Sequence, residues 1–500
     1  MDISFENKKA RVYVELCRQS RVIQETAESV VPDTDEDIGQ IASLQSDILL
    51  KSKDITARGV LISGEACVSL IYLTEDRQKS SSLRICRSFS IEYEIADISS
   101  ETVAQIKLDM QSCQARLINP RKVSVEMQIC GELSCYRQQE MVVDSIQPKD
   151  GIEGLHLLYE EAELLAVNAA CEKTFTITEQ FPFPGAKPGP TRLVSSKVDM
   201  GSPEAQLVGS KLILKGNARI NAVYLSNEAN YPIQAEFTSP YSQIIDIGQD
   251  SMDSCQTHIE LTSVYCDIVN AVNNEKTLEL EIHAVVQLLC RCKRKIRYIT
   301  DAYSNLMPAK CQRSAAEFQQ LSIQPKQKLS CDERIAIGED CTDVLSALVT
   351  IARTEITEGH IKATLRLDLI YKDLSGLLAA VSRSIALEGE LTAAEHRLSS
   401  ARLADIYIRP DGQCLDVHLA LEVNTLSCER SEIETVDTVS LDEEAAYDRD
   451  SFPAISLVRR EGERLWELAR CYHSSVEAIE TMMEAESNSS SKLLLIPKAL

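Results

Sequence analysis

The sequence predicts a mainly β protein, with three tandem β-rich, sandwich-like repeats followed by a small βααβ module. Three observations lead there. A run of alternating apolar residues ending in tyrosine occurs three times, at intervals of about 150 residues. Each copy is followed by a second alternating run that turn residues introduce. Toward the end of the chain the apolar period changes from that of a strand to that of a helix.

The first copy, Gly64-Glu-Ala66-Cys-Val68-Ser-Leu-Ile71-Tyr72, recurs as Gly216-Asn-Ala218-Arg-Ile220-Asn-Ala-Val223-Tyr224. A more divergent third copy is Ala363-Thr-Leu365-Arg-Leu367-Asp-Leu-Ile370-Tyr371. The second landmark is Val123, Val125, Met127 and Ile129, matched by Leu278, Leu280, Ile282 and Ala284, and by Leu415, Val417, Leu419 and Leu421. Period-two alternation turns one face of each run toward a core. Asn119-Pro120, Asn273-Asn274 and Pro410-Asp411-Gly412 are turn chemistry ahead of these runs, so each repeat is expected to close in a β-hairpin.

Each repeat also has a lead-in: Pro32 to Ile41, the proline-rich Phe181 to Leu193, and Ile337 to Leu348. These landmarks bound the repeats at 20–150, 160–305 and 328–430. Leu155, Leu158, Ala162 and Leu165 share one helical face, which predicts a helix joining the first two repeats. A polar link from Gln312 to Lys328 precedes the third. Residues 431–451 carry Glu432, Glu434, Asp437, Asp442, Glu443, Glu444, Asp448 and Asp450, and read as an acidic, solvated linker.

The final module spans 452–500. Ile455 and Leu457 alternate as a short strand, and Gly462 turns it. Leu465, Leu468, Ala469 and Tyr472 recur at helical spacing, Ser475 is placed to cap a second helix carrying Val476, Ile479 and Met483, and Leu493 to Ile496 return as a strand that Pro497 ends.

On Gly462, Leu465-Trp466-x-Leu468-Ala469-x-x-Tyr472, Ser475-Val476-x-x-Ile479 and Leu-Leu-Ile-Pro497, this module resembles a LysM domain, a family that binds N-acetylglucosamine polymers. The sequence departs from that family where sugar would lie. Glu463-Arg464 stands for the usual Asp-Thr, the usual asparagine is replaced within Met482-Met483-Glu484, and the glycine before the last strand is missing from Ser487 to Lys492. The resemblance implies a glycan or partner site at Gly462, Glu463, Arg464, Leu465 and Trp466. A retained glycan groove would be lined by Gly462, Leu465 and the loop before Leu493. Trp466, the sole tryptophan, either packs the first helix on the module's own sheet or anchors a partner.

The repeats, by their lead-in, their Gly-x-Ala-x-Val/Ile…Tyr strand and their closing hairpin, resemble the SPOCS domain of spore-coat-associated proteins. The whole order of modules is similar to the SipL family of spore coat morphogenesis proteins. That resemblance implies a scaffold at the forespore surface, in the mother-cell cytoplasm and spore coat, whose last module docks on a coat morphogenetic ATPase of SpoIVA type while the repeats recruit other coat proteins. Peptidoglycan is the alternative ligand.

Composition bounds the partners. A net charge of −24 and a pI near 4.8 argue against nucleic acid and anionic membrane, which are themselves negative. The start of the chain has no apolar export core, and nowhere do eighteen apolar residues run together, so no transmembrane segment is expected and the chain is expected to stay in the cytoplasm. There the 17 cysteines are expected to be reduced. Cys290-Arg-Cys292 lacks a second pair at ligand spacing, and none of the 7 histidines makes a metal motif, so neither a metal nor a cofactor is expected. His283 and His418 fall on the polar faces of closing strands. With no nucleophile elbow or phosphate loop, a non-enzyme is expected. A cysteine–histidine amidase, built on Cys171, Cys255 or Cys266, is the catalytic alternative.

Overall fold

Period-two alternation on this scale buries a core only if strands pair, and the computed structural model shows how they do. It describes residues 2–146, 152–271, 275–337, 340–357, 359–391, 396–459, 462–485 and 493–498. The protein is mainly β, with 76% of it in strands and two helices among the described residues.

Most strands form three sandwiches with the same strand order. In the first, a sheet of Ile38–Thr56, Gly59–Thr74 and Ser80–Glu94 packs on Glu6–Val30, Lys122–Ile146 and Val103–Asn119. In the second, Lys211–Ser226 and Ala229–Asp246 pair with each other, and Arg192–Asp199 and Glu204–Val208 add to the former. They pack on Leu155–Pro182, Lys276–Ser304 and Ser254–Asn270. In the third, Cys341–Thr357, His360–Asp373 and Leu378–Glu390 cover Gln327–Ala336, Cys414–Leu441 and His396–Asp411.

The alternating residues do what their period requires. Val123, Val125, Met127 and Ile129 are fully buried, as are Leu278, Leu280, Ile282, Leu415, Leu419 and Leu421. The motif tyrosines sit buried on the three central strands. Tyr72 donates its hydroxyl to the Glu36 carbonyl and Tyr224 donates to the Pro188 carbonyl, each at 3.1 Å. The lead-in segments are thereby tied to the strand that follows them, which is why a proline-rich and an acidic stretch stand at matching places.

The motif glycines have a steric cause. Gly64 lies across from Phe89 and Gly216 across from Tyr241, and each aromatic ring lies over its glycine, so an added Cβ would come within 2.3 and 2.4 Å of ring atoms. The third copy has Ala363 opposite Leu387. A branched aliphatic there leaves room for the methyl, and the departure from glycine follows.

Three local expectations give way to long-range pairing. Residues 155–165 are strand, not helix: Leu155–Pro182 pairs with Lys276–Ser304 along its length. Leucine, glutamate and alanine favour a helix locally, but here the backbone bonds come from a partner far along the chain. The polar link before the third repeat is the strand Ala309–Ile323, and residues 431–441 are the end of its partner Cys414–Leu441 rather than a tether. Val436, Val439 and Leu441 are buried with Ile3, Phe5, Leu155, Ile299 and Ala302, so this acidic strand has one apolar edge that its charge conceals in sequence. The first sandwich also begins at Glu6, well before residue 20. The turn at Asn273-Asn274 lies outside the described residues.

The sandwiches meet at a small apolar junction of Ala42, Ile71 and Leu73 from the first, Val194 and Val223 from the second, and Ile370 and Leu378 from the third. Ile71, Val223 and Ile370 each precede the motif tyrosine. Around the junction, side chains of one sandwich satisfy edge-strand backbone of another. Asp368 accepts from Leu44 N–H at 3.2 Å. Gln287 accepts from Ile106 N–H at 2.8 Å and donates back to its carbonyl at 2.7 Å, and Glu260 accepts from Leu108 N–H at 2.9 Å. One cysteine expectation is also corrected, because Cys67 and Cys86, directly opposed in the first sandwich, are joined as a disulfide.

Gly216→Ala is expected to destabilise the protein by about 1–3 kcal/mol through overpacking against Tyr241. Ala363→Gly is expected to cost only about 0.5–1 kcal/mol of backbone entropy. Denaturant midpoints of the two variants check the order.

Candidate functional site

The strands Ile455–Arg459 and Leu493–Pro497 pair antiparallel, and the helices Leu465–Cys471 and Val476–Ala485 lie between them in sequence. Leu468, Ala469, Ile479, Leu494 and Ile496 are buried together, the apolar positions that the spacing picks out. Ser475 caps the second helix, its Oγ accepting from Ala478 N–H at 3.1 Å. Between the helices His473 adopts a left-handed backbone, φ 51°, while Ser474 N–H bonds the Ala469 carbonyl at 2.9 Å. The His473 ring lies against Tyr447 and Phe452, with centroids at 4.4 and 4.2 Å.

One further core residue of this unit comes from the second sandwich. Tyr303, near the end of Lys276–Ser304, is buried among the helices and donates its hydroxyl to the Ser474 carbonyl at 2.8 Å. Its ring stacks on His156 at 4.9 Å and meets Trp466 edge-on at 4.7 Å. Asp301, two residues earlier, accepts from the Trp466 indole N–H at 2.9 Å and from Arg470 at 3.1 Å on one oxygen, and from Arg313 at 3.1 Å on the other. Trp466 thus packs the first helix on the module core, the first of the two roles expected of it, and also forms the seam that holds the module on the second sandwich. Burial pushes the Tyr303 phenol up and the imidazoles of His156 and His473 down, with Glu477 acting against the latter effect at His156.

The remaining predicted residues lie around that seam. Gly462 is exposed with φ 115°, in the region that favours glycine. Glu463 and Arg464 are exposed and Leu465 is half-buried against the module core. Arg464, Trp466 and Arg470 line a cleft of about 310 Å³ with Glu160, Asp301 and Arg313. The proposed glycan groove needs residues 486–492, which lie outside the described residues. Away from the seam, the two-stranded sheet leaves Ile455, Leu457 and Leu493 51%, 64% and 51% exposed. Leu457 pairs with Leu495, Ile455 with Pro497 and Leu493 with Arg459, so one mostly apolar sheet face, with an arginine at one end, is exposed.

A larger cleft, about 840 Å³, opens where the three sandwiches meet, with Lys107, Asp109, Lys197, Asp199, Glu260 and Arg402 among its walls. Two of its acids are committed to structure: Asp109 pairs with Lys107 at 2.8 Å, and Glu260 bonds His258 at 2.6 Å besides accepting from Leu108 N–H. Elsewhere, His283 bonds Thr176 and Glu281, and His418 bonds Asp332. Among the described residues no histidine hydrogen-bonds a cysteine sulfur, Cys171, Cys255 and Cys266 included. The one acid–cysteine grouping close enough for a metal there, Glu65 with Cys67 and Cys86, has both sulfurs in the disulfide. No family model matches the chain, and neither a curated protein nor a solved structure does.

Asp301→Ala is expected to release the module by leaving the indole N–H and two guanidiniums without their acceptor, a loss of about 1–3 kcal/mol. Hydrogen exchange over 465–471 should rise while the third sandwich is unchanged. Acid should act in the same direction. Because His156 and His473 have folded-state pKa values below the ordinary 6.5, their contribution is complete above that value and lost as pH falls through the folded values. Exchange in the module measured from pH 7.5 to 5 should increase with acidity, and less so in His156→Gln.

Proposed function

We propose that this chain is a non-catalytic scaffold of the SipL-like, spore-coat-assembling kind, with three SPOCS-like repeats and a LysM-like module that binds a protein rather than a glycan. What carries the reading is the exposed, mostly apolar face of Ile455, Leu457 and Leu493. Apolar side chains projecting from a two-stranded sheet suit a protein surface, where the centre of the contact is largely apolar. A sugar polymer needs polar groups aimed into a groove, and Glu463-Arg464 replaces the family's Asp-Thr. The shared strand order of the three sandwiches and the matched tyrosine bonds support the tandem-repeat reading.

In this reading the partner is a coat morphogenetic ATPase of SpoIVA type, the site is the mother-cell face of the forespore, and the repeats hold further coat proteins at high effective concentration. No helix among the described residues is long and apolar enough to cross a membrane. The competing reading, a peptidoglycan-binding wall or cortex protein, rests on the βααβ arrangement and Gly462.

The full chain, immobilised, is expected to capture a purified SpoIVA-type ATPase and to leave insoluble peptidoglycan unbound. Leu457→Asp, an exposed position, should weaken capture at least about tenfold, the loss of one buried apolar anchor. Binding to glycan alone, indifferent to Leu457→Asp, overturns the scaffold reading.

A further inference from the structure

Three cysteine pairs face one another across antiparallel strands. Cys67 opposes Cys86 and the two are already joined. Cys255 opposes Cys290, with the sulfurs 3.3 Å apart. Cys17 opposes Cys135 in the same way. Directly opposed residues hold their Cβ atoms about 4.5–5.5 Å apart, and a disulfide needs about 3.5–4.5 Å. A small closing of the strands suffices. In both reduced pairs one thiol is fully buried, Cys290 or Cys135, and the other is half-buried, Cys255 or Cys17.

We propose that Cys255–Cys290 and Cys17–Cys135 are disulfide-forming sites that react with a small-molecule disulfide of the glutathione class, converting a chain with one cross-strand disulfide into one with three. At the first site, the Cys255 thiolate attacks one sulfur of the small disulfide. That S–S bond breaks, a small thiolate leaves and is protonated by solvent, and Cys255 carries a mixed disulfide. The Cys290 thiolate then attacks Cys255 Sγ and expels the second small thiol. Two protein thiols are oxidised and one small disulfide is reduced to two thiols.

The half-buried sulfur decides where the reagent enters, because a fully buried Cys290 cannot meet it. The hydrogen bond from Cys255 holds Cys290 below the ordinary thiol range, helped by Arg291 and opposed by burial, and the same contact pushes Cys255 up. Attack through Cys255 therefore needs the shared proton to pass to Cys290, and exposure, rather than acidity, selects Cys255 as the entry sulfur. Cys171, on the neighbouring strand beside Cys290, is the competing partner. It aligns with Leu288 rather than with either cysteine, so the opposed pair is favoured. Oxidation would fasten the second sandwich at its closing hairpin and the first sandwich between its outermost strands in sequence, Glu6–Val30 and Lys122–Ile146.

The test equilibrates the full chain with oxidised and reduced glutathione at a series of ratios, traps thiols with N-ethylmaleimide, and maps non-reduced peptides by mass spectrometry. Peptides joining Cys255 to Cys290 and Cys17 to Cys135, each two hydrogens lighter than the free pair, are expected beside the Cys67–Cys86 link, with alkylation of the four thiols falling at least about tenfold. In Cys290→Ser, Cys255 should retain glutathione while the other two links still form, which shows that the variant is folded. Free, alkylated Cys255 and Cys290 under conditions that keep Cys67–Cys86 joined would overturn the proposal, as would a Cys171–Cys290 link in place of Cys255–Cys290.

Discussion

An antiparallel sandwich ends in edge strands whose N–H and C=O groups point at nothing, and how those edges are satisfied governs this architecture. In the first sandwich the edge strands Ile38–Thr56 and Val103–Asn119 are met by Asp368, Gln287 and Glu260 from the other two. Each is nearly fully buried, so each would be costly without a partner. Asp368 is a carboxylate at 2% exposure, held by Arg366 at 2.9 Å as well as by Leu44 N–H. Separating the sandwiches would strand that charge and reopen the edges. The three units therefore behave as one body, and Ile71, Val223 and Ile370 can share a junction too small to be a core by itself.

What the sequence reveals follows from how far away each residue's partner lies. Strands with one wet face announce themselves through their period, and Met127 or Leu280 needs no knowledge of the rest of the chain to be placed inside. The glycine at 64 and 216 is equally legible, although its cause is an aromatic ring on the next strand. Residues 155–165 and 431–441 are not legible, because their strand state is imposed by Lys276–Ser304 and Ala309–Ile323 against local helix propensity and charge. The same limit hides the module's seat. Gly462, Glu463, Arg464, Leu465 and Trp466 are found from the module's own pattern. Asp301, Tyr303 and His156 lie in ordinary strand sequence with no motif to mark them.

That seat changes what the module can offer. A tryptophan whose indole N–H is given to Asp301, and whose ring meets Tyr303 edge-on, has its polar atom engaged within the chain. The surfaces left are the Gly462–Arg464 loop and the outer face of the two-stranded sheet. They point to different ligands. The loop is where a LysM fold would present backbone amides to sugar, and here it carries an acidic and a basic side chain. The sheet face is mostly apolar, with Ile455, Leu457 and Leu493 exposed on it.

A scaffold, the function proposed for this chain, would gain from such a division of surfaces. A module free on a tether samples many orientations and loses that freedom on binding, whereas one seated on the body has already lost it. The cost of seating is met inside the chain by Asp301, Tyr303 and the indole, so a partner meeting Ile455, Leu457 and Leu493 encounters a face with a fixed direction relative to the three sandwiches. The histidines at the seam make that direction conditional. Neutral, they fill the contact around Tyr303 and His473; charged, they oppose it, and the same apolar face is carried by a loosened module. In the proposed scaffold, geometry at the seam would then act together with the exposed face in setting how firmly a partner is held.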